Sequence, residues 1–281
     1  MKRFLLLIVV VLLSIHTYAF DIYQYIIWKK YRDNSGNLYE GTNNDFQKFM
    51  GANNLKPIRV IYHEGFLTNG NPDVEKIKKI VLVSKKFPHI PVSFDIEVGN
   101  KFKKETSLPI VNQTLDLYHQ YGGAAKVGVF GVLPQSVFGT EKFNHNTQKQ
   151  YIELNKEYEG IGQKVDFLSP VIYNLWFNDF NVWKRRVDFQ LSEAQKYAKK
   201  YNLKIIPYYS SVYLDKGFHR NGKVADLTEA EMNKRLNYIK SKSVDGVIIW
   251  NPSAGKFDNN EQGIFDVNKG SSKAIVNFAK K

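Results

Sequence analysis

The sequence of 281 residues predicts an α/β protein folded as a TIM-like β/α barrel of seven strands. Two observations carry that expectation. Apolar, β-branched runs recur along the chain, and each is followed by a segment whose apolar residues have helical spacing, the pattern of successive β-α units around a parallel sheet. The competing architecture is an open doubly wound sheet. It would place a Gly-rich phosphate loop after its first strand, where this chain reads Trp28-Lys29-Lys30-Tyr31-Arg32-Asp33.

In chain order, strands are expected at Ile22–Trp28, Ile58–Tyr62, Pro91–Glu97, Lys126–Val132, Phe167–Tyr173, Lys204–Tyr209 and Gly246–Trp250. Helices read best at Asp73–Lys86, Pro109–Tyr121, Thr147–Glu159, Val182–Tyr201 and Thr228–Lys242. Asn71-Pro72-Asp73 opens the first of these, Gly122-Gly123 closes the second, and the stretch from Asp226 to Glu231 opens the last. No low-complexity linker divides the chain, so residues 20–281 read as a single catalytic domain.

Residues 1–19 read as a cleavable signal peptide. Lys2 and Arg3 form its positive start, Phe4 to Ile15 its apolar core, and Thr17-Tyr18-Ala19 a small-residue site with the cut after Ala19. An apolar stretch of about a dozen residues is shorter than the roughly twenty a spanning helix needs. The mature protein is therefore expected to be secreted or periplasmic, with no transmembrane segment once the signal is removed. The chain contains no Cys, which excludes a disulfide framework and a thiolate metal site. Its formal charge of +13 could attract an acidic partner, although the lysines are spread over helical segments such as Lys76-Ile77-Lys78-Lys79. No basic stripe is interleaved with aromatics, so no nucleic-acid partner is expected.

Reactive groups of β/α barrels gather at the C-terminal ends of the strands. The third strand ends Phe94-Asp95-Ile96-Glu97, with carboxylates where packing alone would continue an apolar run. At i and i+2 the two acids fall on one face of a strand. Neighbouring, partly desolvated carboxylates raise one pKa, so one proton stays bound near neutral pH and can be donated. Asp73-Val74-Glu75 has the same spacing but sits at a helix start.

Other strand ends add Tyr173 and Asn174, Tyr208 and Tyr209 with Tyr213 nearby, and Trp250 and Asn251. Ring faces that stack on sugars, with amides and hydroxyls to bond them, make a carbohydrate cleft. The six histidines are scattered and His63-Glu64 lacks a second His four residues on, so neither a metal nor another cofactor is expected. No Gly-x-Ser-x-Gly elbow occurs, and Gly128-Val129-Phe130-Gly131 lies inside a strand, where it reads as packing rather than a phosphate loop.

The chain resembles the hyaluronidase family of glycoside hydrolases, family 56, in Phe94-Asp95-Ile96-Glu97, Ser169-Pro170-Val171-Ile172-Tyr173, Pro207-Tyr208-Tyr209 and Val247-Ile248-Ile249-Trp250, in that order. The resemblance implies a distorted seven-stranded barrel and substrate-assisted, retaining cleavage of a polymer containing N-acetylhexosamine, such as hyaluronan or chondroitin. It implies Glu97 as acid and base, Asp95 as the holder of the acetamido group, Tyr173 as its hydrogen-bond partner, Trp250 as the wall of its methyl pocket, and Tyr208 or Tyr209 as cleft lining. The family usually has Trp between the two acids, where this chain has Ile96. Two other readings fit the same residues: a lysozyme-like or chitinase-like hydrolase of cell-wall glycan, and a non-catalytic carbohydrate-binding barrel.

Overall fold

A computed structural model describes residues 20–26, 30–140, 142–175, 179–215, 222–251, 256–257 and 263–281. The signal peptide, with its cut near Ala19, lies outside the described residues, as does the end of the first expected strand at Ile27 and Trp28.

The fold is mixed α/β with parallel sheets. In chain order β1 (Asp21–Ile26) leads to the hairpin of β2 (Lys30–Arg32) and β3 (Leu38–Glu40), then α1 (Asn43–Ala52), β4 (Lys56–Pro57) and β5 (Arg59–Tyr62). A short hairpin, β6 (Leu67–Thr68) with β7 (Asn71–Pro72), precedes α2 (Val74–Lys86), β8 (Val92–Asp95), α3 (Lys104–Gln120), β9 (Val127–Val129) and α4 (His145–Glu157). There follow β10 (Phe167–Leu168), α5 (Phe180–Tyr201), β11 (Lys204–Ile205), β12 (Tyr208–Ser210), the hairpin of β13 (Val212–Leu214) and β14 (Val224–Asp226), and α6 (Glu229–Lys240). The chain closes with β15 (Gly246–Asn251), β16 (Phe265–Asp266) and α7 (Gly270–Ala279).

Parallel pairings run from one expected strand to the next. β1 pairs with β15 along its whole length and with β4 on its other side. Past Ile58 the same segment continues as β5, which pairs with β8, and β8 pairs with β9. Phe130 then bridges Ser169, β10 pairs with β11, Val171 bridges Tyr208, and β12 pairs with β15, back beside β1. β4 with β5, and β11 with β12, are pieces of single extended runs, which is why the sequence reads each run as one strand.

The core lies between these strands and the helices. β8, β9 and β15 are buried on both faces, as strands covered by helices must be. Inside, the Tyr208 hydroxyl donates to Ser93 Oγ at 2.8 Å, joining β12 to β8, which do not pair with each other. Gly128 lets β9 approach Phe167, since a Cβ there would lie 2.4 Å from the Phe167 ring.

Helix starts follow their caps. Asp73 accepts from the backbone of Glu75 and Lys76 to open α2, and Thr228 and Glu231 form a capping box that opens α6. Two boundaries depart from expectation. α3 begins at Lys104 and carries Pro109 inside it, where the sequence reading starts the helix at the proline. β8 stops at Asp95, so Glu97 stands in the following loop and is exposed, and its relation to Asp95 is not that of two residues on one strand face.

Candidate active site

A cavity of about 560 Å³ opens where several strands end, at the C-terminal limits of β5, β8, β9 and β15. Asp95, Glu97, Tyr173 and Trp250, taken from three strand ends far apart in sequence, all line it. The loop after β8 turns at Gly99, whose φ is +76 and where a Cβ would lie 2.4 Å from the Thr106 carbonyl oxygen. The next residues are pinned in turn, because Lys101 Nζ donates to the Ser136 carbonyl at 2.5 Å and the Tyr158 hydroxyl donates to the Lys101 carbonyl at 3.0 Å. This fixes the segment that carries Glu97.

The two acids occupy unlike surroundings. Asp95 is 7 % exposed, and its Oδ1 has no hydrogen-bond partner among the described residues. Burial, then the charges of Glu97 and Glu64, push its pKa up to about 8. The proton expected on one member of the pair therefore sits on Asp95 at neutral pH. Glu97 faces the open side of the cavity.

Aromatic rings line the same cavity. Tyr173 and Trp250 stack with centroids 4.8 Å apart, Phe138 meets Tyr173 edge-on at 5.3 Å, and Phe130 lies 6.1 Å from it. Trp250 Nε1 donates to the Tyr62 hydroxyl at 3.2 Å, and Tyr62 itself lines the cavity. Burial, reinforced by Tyr208 and Asp95, holds the Tyr173 hydroxyl protonated far above the usual tyrosine range.

Four expected binding residues do not line the cavity. Tyr208 is spent on Ser93 beneath it. Tyr209 is fully buried beside Trp183, and its hydroxyl has no hydrogen-bond partner among the described residues. Asn174 Nδ2 donates to the Ser210 carbonyl at 2.6 Å, and Asn251 Oδ1 accepts from Ser211 Oγ at 2.6 Å. Alternation accounts for Asn174 and Asn251, whose neighbours Tyr173 and Trp250 take the cavity side. Sequence reasoning in turn passed over Tyr62, Phe130, Phe138, Lys101 and Gln135. Tyr62 ends the second expected strand and was open to the same strand-end rule. The others stand at the end of β9 or in loops whose path has no periodic signal.

Among the described residues no cluster of His, Asp and Glu could hold a metal ion, and no helix is long and apolar enough to cross a membrane.

No family model matches the sequence, and no curated protein is similar to it. Solved structures are similar in fold. Bee venom hyaluronidase matches with 17% identity over 80% of this chain and 84% of its own, at a TM-score of 0.52. A putative α-L-fucosidase from Bacteroides thetaiotaomicron matches with 12% identity over 92% of this chain and 80% of its own, at a TM-score of 0.53. At these identities the likeness is one of fold.

Proposed function

We propose that the chain is an exported glycoside hydrolase, a distorted seven-stranded β/α barrel in a single domain, that cleaves a polymer containing N-acetylhexosamine with retention of configuration. The observation that carries this reading is a protonated, buried Asp95 beside an exposed Glu97, in one cavity that a stacked Tyr173–Trp250 pair also lines. The order of the strand pairings and the fold likeness to solved glycosidases support it.

Ordinary glycosidases place two carboxyl groups on opposite sides of the scissile bond. Here both acids come from one strand end, which suits assistance by the substrate. The sugar's acetamido oxygen attacks the anomeric carbon while Glu97 protonates the departing glycosidic oxygen. Asp95 supplies the proton to Glu97 and, once charged, offsets the positive charge of the cyclic intermediate. Glu97 then takes a proton from the water that opens the intermediate. Tyr173 bonds the acetamido group, and Trp250 walls its methyl.

Release of reducing ends from hyaluronan, chondroitin, chitin and peptidoglycan tests this, with Glu97→Gln beside the wild type. Loss of a general acid lowers the rate by on the order of 10²–10⁴. A de-acetylated polymer should resist cleavage, because its amine cannot attack as an acyl oxygen does. If no polymer is cut, or if Glu97→Gln cuts equally well, the reading fails.

A further inference from the structure

We propose that the part of the cavity between loops 98–103 and 131–138 is a second sugar subsite, with Gln135 as its specificity-determining residue, bonding paired hydroxyls of the sugar next to the one cleaved. This rests on the glycosidase reading above.

The backbone of Gln135 is held from both sides by buried side chains. Its N–H donates to Asn155 Oδ1 at 2.7 Å, and its carbonyl accepts from Gln190 Nε2 at 3.0 Å. Asn155 Nδ2 donates in turn to Glu193 Oε2 at 3.0 Å, and the second oxygen of Glu193 accepts from Lys196. Asn155 and Gln190 are wholly buried and Glu193 is 2 % exposed. Buried polar groups of this kind are costly unless bonded; both amide atoms of Asn155 are, whereas Gln190 bonds through Nε2 and its Oε1 has no partner among the described residues. Here α4 and α5 together direct them at one loop peptide.

The side chain so positioned has no protein partner. Gln135 is 3 % exposed and lines the cavity, yet its amide is hydrogen-bonded to no described residue. What remains accessible of Gln135 opens on the cavity, so a ligand's hydroxyls can replace the water its amide would otherwise bond. A primary amide presents a coplanar acceptor and donors, which complement two adjacent sugar hydroxyls. Phe138, edge-on to Tyr173, connects this region to the aromatic wall. Pockets of roughly 300–1,000 Å³ take ligands larger than one sugar ring, and this cavity of about 560 Å³ falls within that range.

The test uses the full chain and oligosaccharides of hyaluronan, chondroitin and chitin from disaccharide to hexasaccharide. Turnover is measured for wild type, Gln135→Ala and Gln135→Met, and binding for the same variants in a Glu97→Gln background. We expect KM for the hexasaccharide to rise about tenfold, with less effect on the disaccharide and the change falling on KM rather than kcat. An unaltered thermal midpoint in Gln135→Met separates this from a folding defect. If wild type cleaves and Gln135→Ala matches it in KM at every length, the subsite is overturned while the glycosidase reading stands. Binding without cleavage that Gln135→Ala abolishes keeps the subsite and overturns the reaction. If wild type neither binds nor cleaves any oligosaccharide, both fall.

Discussion

The rings of Tyr173 and Trp250 stack with their planes 21° apart, and the Trp250 indole is tied by its N–H to the Tyr62 hydroxyl. Three strand ends thereby make one flat wall. Trp250→Ala removes its outer face and should weaken oligosaccharide binding about ten- to a hundredfold, on the order of 1.5–3 kcal/mol. Trp250→Phe keeps a ring and drops only the bond to Tyr62, so its loss should stay below about tenfold. Equilibrium titration in the Glu97→Gln background measures both. Equal affinity of Trp250→Ala and wild type would place the sugar elsewhere.

Beneath the cavity, Tyr208 and Ser93 form a buried hydroxyl pair that joins two non-neighbouring strands. Tyr208→Phe leaves Ser93 Oγ without that partner and should destabilise the protein by about 1–3 kcal/mol. Removing both hydroxyls, as Tyr208→Phe with Ser93→Ala, leaves neither group orphaned. Urea unfolding should then show the double variant less destabilised than the sum of the single ones. Strict additivity would mean that the two hydroxyls do not act as a pair.

The seven strand positions were legible because strands buried on both faces must be apolar runs, and such runs stand out between amphipathic helices. Asp95 was legible for the opposite reason: a carboxylate that ends an apolar run has no packing role. What a strand-end list does not resolve is which of two adjacent residues faces the mouth. Tyr173 lines the cavity and Asn174 does not; Trp250 does and Asn251 does not. Gln135 was illegible, since its position depends on Asn155 and Gln190, which come from later helices and meet it only in three dimensions. α1 and α7 escaped because each is short and begins in polar, loop-like sequence, Asn43-Asn44 and Gly270-Ser271-Ser272.

Gly128 tests the packing of β9 against β10. A Cβ at this position would overlap the Phe167 ring, and overpacking of this kind costs about 1–3 kcal/mol. Gly128→Ala should lower the thermal midpoint, and Phe167→Leu in the same chain should restore part of it. Gly160, with open space around its Cβ position, is the control; Gly160→Ala should stay within about 0.5 kcal/mol of wild type. If Gly128→Ala unfolds with wild type, the close approach of the two strands is wrong.

Asp95 carries the strongest pH dependence in the site. Burial, and then the charges of Glu97 and Glu64, raise its pKa from 3.8 to about 8. In the unfolded chain the carboxyl loses its proton near 3.8, whereas in the folded protein it keeps it until about 8. Between those limits the native state binds more protons, so stability present at acid pH is lost as pH rises toward about 8 and levels off above it. Asp95→Asn has no proton to lose and should remove that slope, leaving the variant more stable than wild type on the alkaline side. Glu97→Gln deletes the neighbouring charge with the larger effect and should move the Asp95 midpoint downward, with Glu64→Gln doing so less. Urea midpoints across this range and a carbon NMR titration of the Asp95 carboxyl measure the two effects. In the proposed mechanism the same proton is the one Glu97 passes to the leaving oxygen, so turnover by wild type should also decline through about pH 8. A stability profile that Asp95→Asn leaves unchanged would take the proton off Asp95, and with it the source of the acid.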